Sequence, residues 1–234
     1  MSNHDHRTEQ VPEPADRTLR ALAGEDVWAE LVRQSHERWH PPGTLLLRQD
    51  EPGTHVLAVL SGVAKVVRTE RDGKRNLLAF RGPGELLGEV AVLAGGGRLA
   101  SVETLARCKV GVMSKADFAR FIAAHDLSPV LVRYALARLR ESDQARRGGD
   151  VLPRLAATLV RLADLSSRPG TCPTGPLELA LTRDELAQHL RTSRNTVTAK
   201  LAELESCRVH ARRLRIVIND LPALRRAAAT ALGG

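Results

Sequence analysis

The chain has 234 residues, 35 of them basic and 27 acidic, for a net charge of +8. That length holds one large or two small domains, each able to bury its own core. No apolar run nears the roughly 20 residues that span a bilayer, and the polar, acid-containing start MSNHDHRTEQVPEPADR excludes a signal peptide or anchor, so a soluble cytoplasmic protein without a membrane partner is expected.

Residues 1–17 read as a disordered tail. Residues 18–38 carry a modest helical pattern through Leu19, Leu22, Val27, Trp28, Leu31 and Val32. The character changes at Pro41-Pro42-Gly43. From there Gly43, Gly53, Gly62, Gly73, Gly82-Pro83-Gly84 and Gly95-Gly96-Gly97 mark turns about every ten residues, separating the β-rich runs TLLLR, HVLAVL, VAKVVRTE, RNLLAF, LASVETL and KVGVMS. Short, evenly spaced strands with glycine-bearing turns predict an antiparallel barrel or jelly roll.

Helical periodicity returns over Lys115–Ala124 and Leu127–Arg147. The second stretch places Val130, Leu131, Tyr134, Leu136 and Leu139 at mixed three- and four-residue spacing, a stripe that suits pairing with a second copy of the chain; the alternative is that it packs on the barrel. Gly148-Gly149-Asp150 then breaks the chain. An amphipathic helix, VLPRLAATLVRLADLSS, and a Pro/Gly/Thr-rich loop over 168–176 follow.

The most informative stretch is LTRDELAQHLRTSRNTVTAKLAELE, residues 181–205. Thr182 and Glu185 have the spacing of a capping box, and Ser193 is placed to cap a second helix. Val197, Leu201 and Leu204 give that helix one apolar face, while Ser193, Arg194, Asn195 and Thr196 crowd its exposed first turn. Two short capped helices around a tight turn form a helix-turn-helix pattern, whose second helix presents its N-terminus to base edges; the bland alternative is a helical hairpin in a core. The expected DNA-contacting set is Thr182, Ser193, Arg194, Asn195, Thr196, Thr198, Ala199 and Lys200. It is joined by Arg212, Arg213 and Arg215 of a two-stranded wing over Val209–Ile218, with Arg208 nearby, and a short helix closes the chain. Residues 150–234 hold 13 basic and 8 acidic residues, so +5 of the charge excess lies with this module, as a phosphate partner requires. Only Lys65, Lys74, Lys109, Lys115 and Lys200 are lysine.

Cys108, Cys172 and Cys207 are far apart and the eight histidines are scattered, so no disulfide, metal site or iron–sulfur cluster is expected. No nucleophile–base pair or triphosphate loop is present, so an enzyme is not expected.

A glycine-punctuated β-roll, a long helix, a glycine hinge and a winged helix-turn-helix, in that order, resemble the Crp/Fnr family over residues 20–225. Gly84-Glu85-Leu86-Leu87-Gly88-Glu89-Val90-Ala91, followed by Arg98-Leu99-Ala100-Ser101-Val102, is similar to that family's phosphate-binding cassette. Gly88 permits close backbone approach, and residues 89–93 suit a short helix. By resemblance, Glu89 accepts a ribose 2′-hydroxyl bond, Arg98 pairs with a cyclic phosphate, and the amides of Gly88, Leu99 and Ala100 add donors, with Ser142 and Asp143 as candidates near the base. Leu99 stands where cyclic-AMP binders carry a small or hydroxylated residue. The alternative for the cassette is a structural turn with a satisfied Arg–Glu pair.

Ser193-Arg194-Asn195-Thr196-Val197 resembles the family's S-R-E-T-V. Arg194 falls on its guanine-reading arginine. Asn195 replaces glutamate and suits adenine, and Ala199 offers a methyl contact to thymine. Arg191 takes a turn position commonly held by glycine, at a cost on the order of 1 kcal/mol in a left-handed conformation. The wing lacks its usual glycines.

The resemblance implies an α+β fold: an N-terminal antiparallel β-roll or jelly roll (18–126), a long dimerisation helix with hinge (127–149) and a C-terminal winged helix-turn-helix (150–234). It implies a homodimeric bacterial transcription regulator on a pseudo-palindromic duplex, with RNA polymerase as a further partner and cyclic AMP or another cyclic nucleotide as effector. Lack of an N-terminal cysteine cluster and of a haem ligand set speaks against the iron–sulfur and haem branches. Two alternatives stand: a regulator that needs no cyclic nucleotide, and a cyclic-nucleotide-binding module acting on a protein partner.

Overall fold

The computed structural model describes residues 17–144, 150–166 and 175–232, and the side chains of 140–144 and 230–232 are not described. The tail 1–16, Gly148-Gly149 of the hinge and Cys172 lie outside these residues.

Two short helices open the fold, α1 (Leu19–Ala23), capped by the Thr18 hydroxyl, and α2 (Glu25–Arg33). Eight strands follow: β1 (His36–His40), β2 (Leu45–Leu47), β3 (His55–Ser61), β4 (Ala64–Thr69), β5 (Arg75–Arg81), β6 (Leu86–Leu87), β7 (Ser101–Thr104) and β8 (Cys108–Ser114). They form two four-stranded antiparallel sheets, ordered β1-β8-β3-β6 and β2-β7-β4-β5. α3 (Glu89–Ala94) sits between β6 and β7, and α4 (Lys115–Ala124) and α5 (Ser128–Gln144) come after β8. The expected β-roll is present. Two of its strands carry no readable sequence signal: β1 is an exposed edge strand with no apolar alternation, and β6 is only two residues long.

Leu47, Leu57, Val59, Ala64, Leu87, Val102, Cys108 and Val110 fill the space between the sheets. A second cluster packs helices on the outer face of the first sheet: Trp28 and Leu31 from α2, Phe118 and Phe121 from α4, and Leu131 and Tyr134 from α5 lie against Val56 and Ala58 of β3 and Met113 of β8. Thus α5 rests on the roll through Leu131 and Tyr134, while Val132, Leu136 and Leu139, at i, i+4 and i+7, are 60%, 50% and 65% exposed. One helix carries both a stripe packed on the roll and a stripe left exposed.

The C-terminal part runs α6 (Val151–Ser166), β9 (Leu177–Leu179), α7 (Arg183–Leu190), α8 (Arg194–Glu203), a 3-10 turn (Leu204–Cys207), β10 (Val209–Ala211), β11 (Ile216–Ile218) and α9 (Leu221–Leu232). The wing has a third strand, because β9 pairs with β11. Leu155, Leu159 and Leu162 of α6 pack with Leu186, Val197, Leu201 and Leu224. That cluster runs on into Val63, Val67, Leu77, Phe80 and Leu105 on the second sheet, so the helix-turn-helix is docked against the roll of its own chain. Among the described residues no helix is long and apolar enough to cross a membrane.

Candidate DNA interface and anion cassette

The reciprocal cap at the start of α7 is complete. Thr182 Oγ1 accepts from the Glu185 amide at 3.1 Å, and Glu185 Oε2 accepts from the Thr182 amide at 2.8 Å. Arg191 closes the helix in the left-handed region (φ 50°, ψ 52°), so the turn is made without glycine. The Thr192 amide then donates to Ala187 O at 2.9 Å. Ser193 caps α8, its Oγ accepting from the Thr196 amide at 3.0 Å. Val197 and Leu201 are buried beneath, which fixes the opposite face of α8 outward.

The eleven residues expected to meet DNA fall into two groups. Several polar groups are already committed within the protein. The Ser193 and Thr196 hydroxyls lie 2.8 Å apart, Thr198 Oγ1 donates to Arg194 O at 2.9 Å, Lys200 Nζ pairs with Glu203 at 2.9 Å and Arg215 Nη1 with Glu178 at 2.7 Å. The other group is exposed: Asn195, Ala199, Arg212 and Arg213, together with Arg194, whose guanidinium makes a loose, solvent-exposed 3.7 Å approach to Asp184. Thr182 is half-buried in its cap. Arg183 Nη2 donates to Ala211 O at 2.9 Å, which joins the first turn of α7 to the wing.

The roll grips this module through α7 and the residues leading into it. Lys65 Nζ of β4 lies 2.5 Å from Glu185 Oε1 and donates to Ala180 O at 2.9 Å. The Leu77 amide donates to Gln188 Oε1 at 2.7 Å, Gln188 Nε2 to Arg75 O at 2.7 Å, and the Ala180 amide to Leu105 O at 2.6 Å. Phe80 meets His189 edge-on, with ring centres 4.8 Å apart. The capping glutamate therefore serves two purposes, of which only the cap is visible in the sequence.

In the cassette, Gly88 (φ 82°) turns the chain from β6 into α3. A Cβ there would run into the Arg98 guanidinium and the Leu47 side chain. Arg98 is 4% exposed. Its Nη2 donates to His55 O at 3.0 Å, and its buried Nη1 has no hydrogen-bond partner. Burial draws its pKa down while Glu51 and Glu89 oppose the shift; an arginine remains the cation at neutral pH regardless. His55 is likewise shifted down, by burial first and by Arg98 second.

Glu89 is buried and does not pair with Arg98. Its Oε1 accepts from Arg138 Nη1 at 2.7 Å. Arg138, on α5, also donates to Leu86 O and to the Tyr134 hydroxyl, and its guanidinium lies 4.2 Å over the Tyr134 ring. Tyr134 in turn donates to Leu86 O (3.1 Å) and accepts from the Leu86 amide (2.9 Å). The cassette thus does hold an Arg–Glu pair, but its arginine is one that the sequence does not single out. The one sequence signal for it is an arginine four residues after Tyr134 on the buried side of an apolar stripe. Leu99 is 70% exposed and Ala100 half-buried. Ser142 and Asp143 fall on the last turns of α5, and their side chains lie outside the described ones.

Comparison with known proteins adds independent findings. Residues 37–125 match the cyclic nucleotide-binding domain, and residues 153–227 match the Crp-like helix-turn-helix domain. The chain is 32% identical over 181 residues to the CRP-like cAMP-activated global transcriptional regulator of Mycobacterium tuberculosis, covering 75% of this chain and 80% of the relative. It is 32% identical over 175 residues to the cyclic AMP receptor protein of Thermus thermophilus, covering 71% and 76%. In fold it is similar to a CRP-family transcriptional regulator from Thermus thermophilus (TM-score 0.59, 22% identity, 83% of this chain and 98% of that one). It is also similar to the c-di-GMP-responsive regulator CLP of Xanthomonas campestris (TM-score 0.54, 22% identity, 84% and 99%).

Proposed function

The chain belongs to the Crp/Fnr family of DNA-binding transcription regulators, and on that premise we propose that two copies pair through α5 and read a pseudo-palindromic operator. Val132, Leu136 and Leu139 would form the seam. Dimer symmetry then sets half-sites roughly one helical turn, about 34 Å, apart. Arg194 reads guanine and Asn195 adenine, while Arg212 sits on the backbone side; the Ser193–Thr196 hydroxyl pair keeps one O–H to donate to phosphate, whereas Thr198 would first have to release Arg194 O. We assign residues 18–126 to the sensor, 127–149 to the dimer helix and hinge, and 150–234 to the DNA reader. The protein works in the cytoplasm, where it meets RNA polymerase at its promoters, and it performs no catalysis.

For the effector, the observation that carries the reading is the buried Arg98 with one unpartnered N–H beside a glycine kept bare for it. An unmet donor on a buried cation is costly, and a bound anion removes that cost. A cyclic nucleotide fits: its phosphate on Arg98, its ribose hydroxyl on Glu89. Because Glu89 also holds Arg138 of α5, a ligand there acts on the helix that bears the dimer seam. It shifts the orientation of the DNA readers only through its differential affinity for the two arrangements, typically about 1–3 kcal/mol.

The test is selection of bound duplexes from a random pool with and without cyclic AMP, alongside titration calorimetry with Arg98→Ala as control. A two-fold symmetric site whose recovery rises with cyclic AMP is expected. Arg194→Ala should cost about 1–3 kcal/mol at one base position; an unchanged preference would refute the assigned reading role. A second reading, an effector other than a cyclic nucleotide, is favoured by Leu99 and by the existing Glu89–Arg138 pair, and it predicts no heat with millimolar cyclic AMP.

A further inference from the structure

The wing ends in an unusual tip. Beyond the last paired residues of its hairpin, Ala211 and Ile216, the chain turns through Arg212, Arg213, Leu214 and Arg215. The turn is closed by the Arg212 amide donating to Arg215 O at 2.8 Å, and none of these four residues has positive φ. Leu214, at its apex, is 68% exposed, and no other large hydrophobic residue of the C-terminal module is exposed among the described residues. A lone exposed leucine is ordinary on a protein surface. Here, however, it is flanked by three arginines and carried on a braced hairpin. β11 is the central strand of a three-stranded sheet, Arg215 is pinned to Glu178 at 2.7 Å, and Arg183 at the start of α7 holds Ala211 O at 2.9 Å.

That last bond decides where the tip goes. In a helix-turn-helix the first helix crosses the phosphate backbone while the second lies in the major groove. The base of the wing is tied to the backbone-crossing end of α7, and the tip continues beyond it. Two residues past Ala211, at about 3.3 Å each, carry it roughly 7 Å over the phosphate ridge, toward the groove next to the one α8 fills. That groove is the minor one. A leucine gains nothing against phosphates, but sugar walls and a partly opened base step are apolar, and leucine is among the side chains that wedge there. Arginine favours a minor groove narrowed by A·T pairs, where the negative potential is strongest.

We infer that the wing tip is a minor-groove reader, with Arg213 inserted beside Leu214 as a wedge, which makes the chain sensitive to base pairs flanking each half-site. This rests on the DNA-binding reading above and extends it from phosphate contact to selectivity through shape.

The test uses the full-length protein and its selected operator, with the outer flanks of each half-site made A·T-rich, with a central T-A step, or G·C-rich. Fluorescence anisotropy gives affinity and end-to-end energy transfer gives bending. Wild type should prefer the A·T flank by about tenfold, Arg213→Ala should reduce that preference to about twofold, and Leu214→Ser should lower the bend and weaken the T-A flank about fivefold. Leu214 is on the surface, so the serine variant should fold; its unfolding midpoint and its loss of preference on adding Arg194→Ala check this. If both wing variants weaken A·T and G·C flanks alike, the tip touches phosphate only and the inference fails while the operator reading stands. If Leu214→Ser leaves DNA affinity untouched but alters transcription with purified polymerase, the leucine faces a protein and the inference also fails. If wild type binds no duplex, the operator reading itself falls, and this inference with it.

Discussion

Replacing Lys65 with methionine removes the charge that joins the roll to the DNA reader. Lys65 and Glu185 lie 2.5 Å apart with side chains only 6% and 10% exposed, and Lys65 Nζ also donates to Ala180 O. Methionine matches the aliphatic stem but strands Glu185 in the interface, and breaking one side of a buried pair costs about 3–5 kcal/mol. Glu185→Gln should cost less. Glutamine keeps the cap with Thr182, and Lys65 retains Glu103 at 3.6 Å; the loss is that of a hydrogen bond to a charged group, about 1.5–3 kcal/mol. The assay is urea unfolding followed by two probes. Trp28 and Trp39 both lie in the roll, so fluorescence reports that part, whereas helical circular dichroism also weighs α6 to α9. Wild type should give coincident transitions, and Lys65→Met an earlier dichroism transition as the reader detaches first. A Lys65→Met protein within about 1 kcal/mol of wild type, or one less damaged than Glu185→Gln, would refute the reasoning.

Four further outcomes follow from single residues. Arg191→Gly should stabilise the protein by about 1 kcal/mol, seen as a higher Tm, because glycine meets no penalty at φ 50°. Leu136→Glu, in the middle of the exposed α5 stripe, should shift the protein to monomer in sedimentation and weaken operator binding about a hundredfold, as simultaneous engagement of two half-sites is lost. Burial pushes the Cys108 thiol up to about 12, so site-resolved mass spectrometry should find it unalkylated at pH 8 in the folded protein and alkylated in denaturant. Burial, then Arg98, lowers the His55 pKa from 6.5, and burial, then Arg38, lowers that of His40. Below pH 6.5 the unfolded chain takes up these protons more readily. Stability should therefore fall as pH drops from about 6.5 through the folded values, and less steeply in His40→Gln/His55→Gln by urea midpoint.

How much of this is legible in the chain depends on whether the signal is local. Thr182, Glu185 and Ser193 act on amides within three residues, so the helix-turn-helix can be read from spacing, and its caps form as expected. The strands with apolar alternation or glycine turns are readable as well. β1 is not, because His36-Glu37-Arg38-Trp39-His40 is held by pairing with β8 and carries no alternation of its own. β9 is hidden by its length, its pairing with β11 being settled 37 residues away at Arg215 and Ile216. Arg138 and Lys65 escape for the same reason: their partners Glu89 and Glu185 lie 49 and 120 residues off in the chain. Which lysine is buried is a property of docking, to which periodicity is blind.

Those two distant pairs also bound how a ligand can act. Glu89–Arg138 joins the cassette to α5, and Lys65–Glu185 joins the second sheet to α7. A ligand coupling of about 1–3 kcal/mol is smaller than the roughly 3–5 kcal/mol needed to leave a buried pair half-broken. An effector therefore cannot simply pull the reader from the roll and leave Lys65 and Glu185 bare. In the proposed dimer, either the docked arrangement persists and both readers move with their rolls as α5 shifts against its partner, or the released groups find new partners in a second arrangement of nearly equal energy. The double-mutant cycle between Lys65→Met and Glu185→Gln, run with and without ligand, separates these routes. A coupling energy that ligand leaves unchanged means the rolls carry their readers, and one that ligand abolishes means the dock itself is the switch.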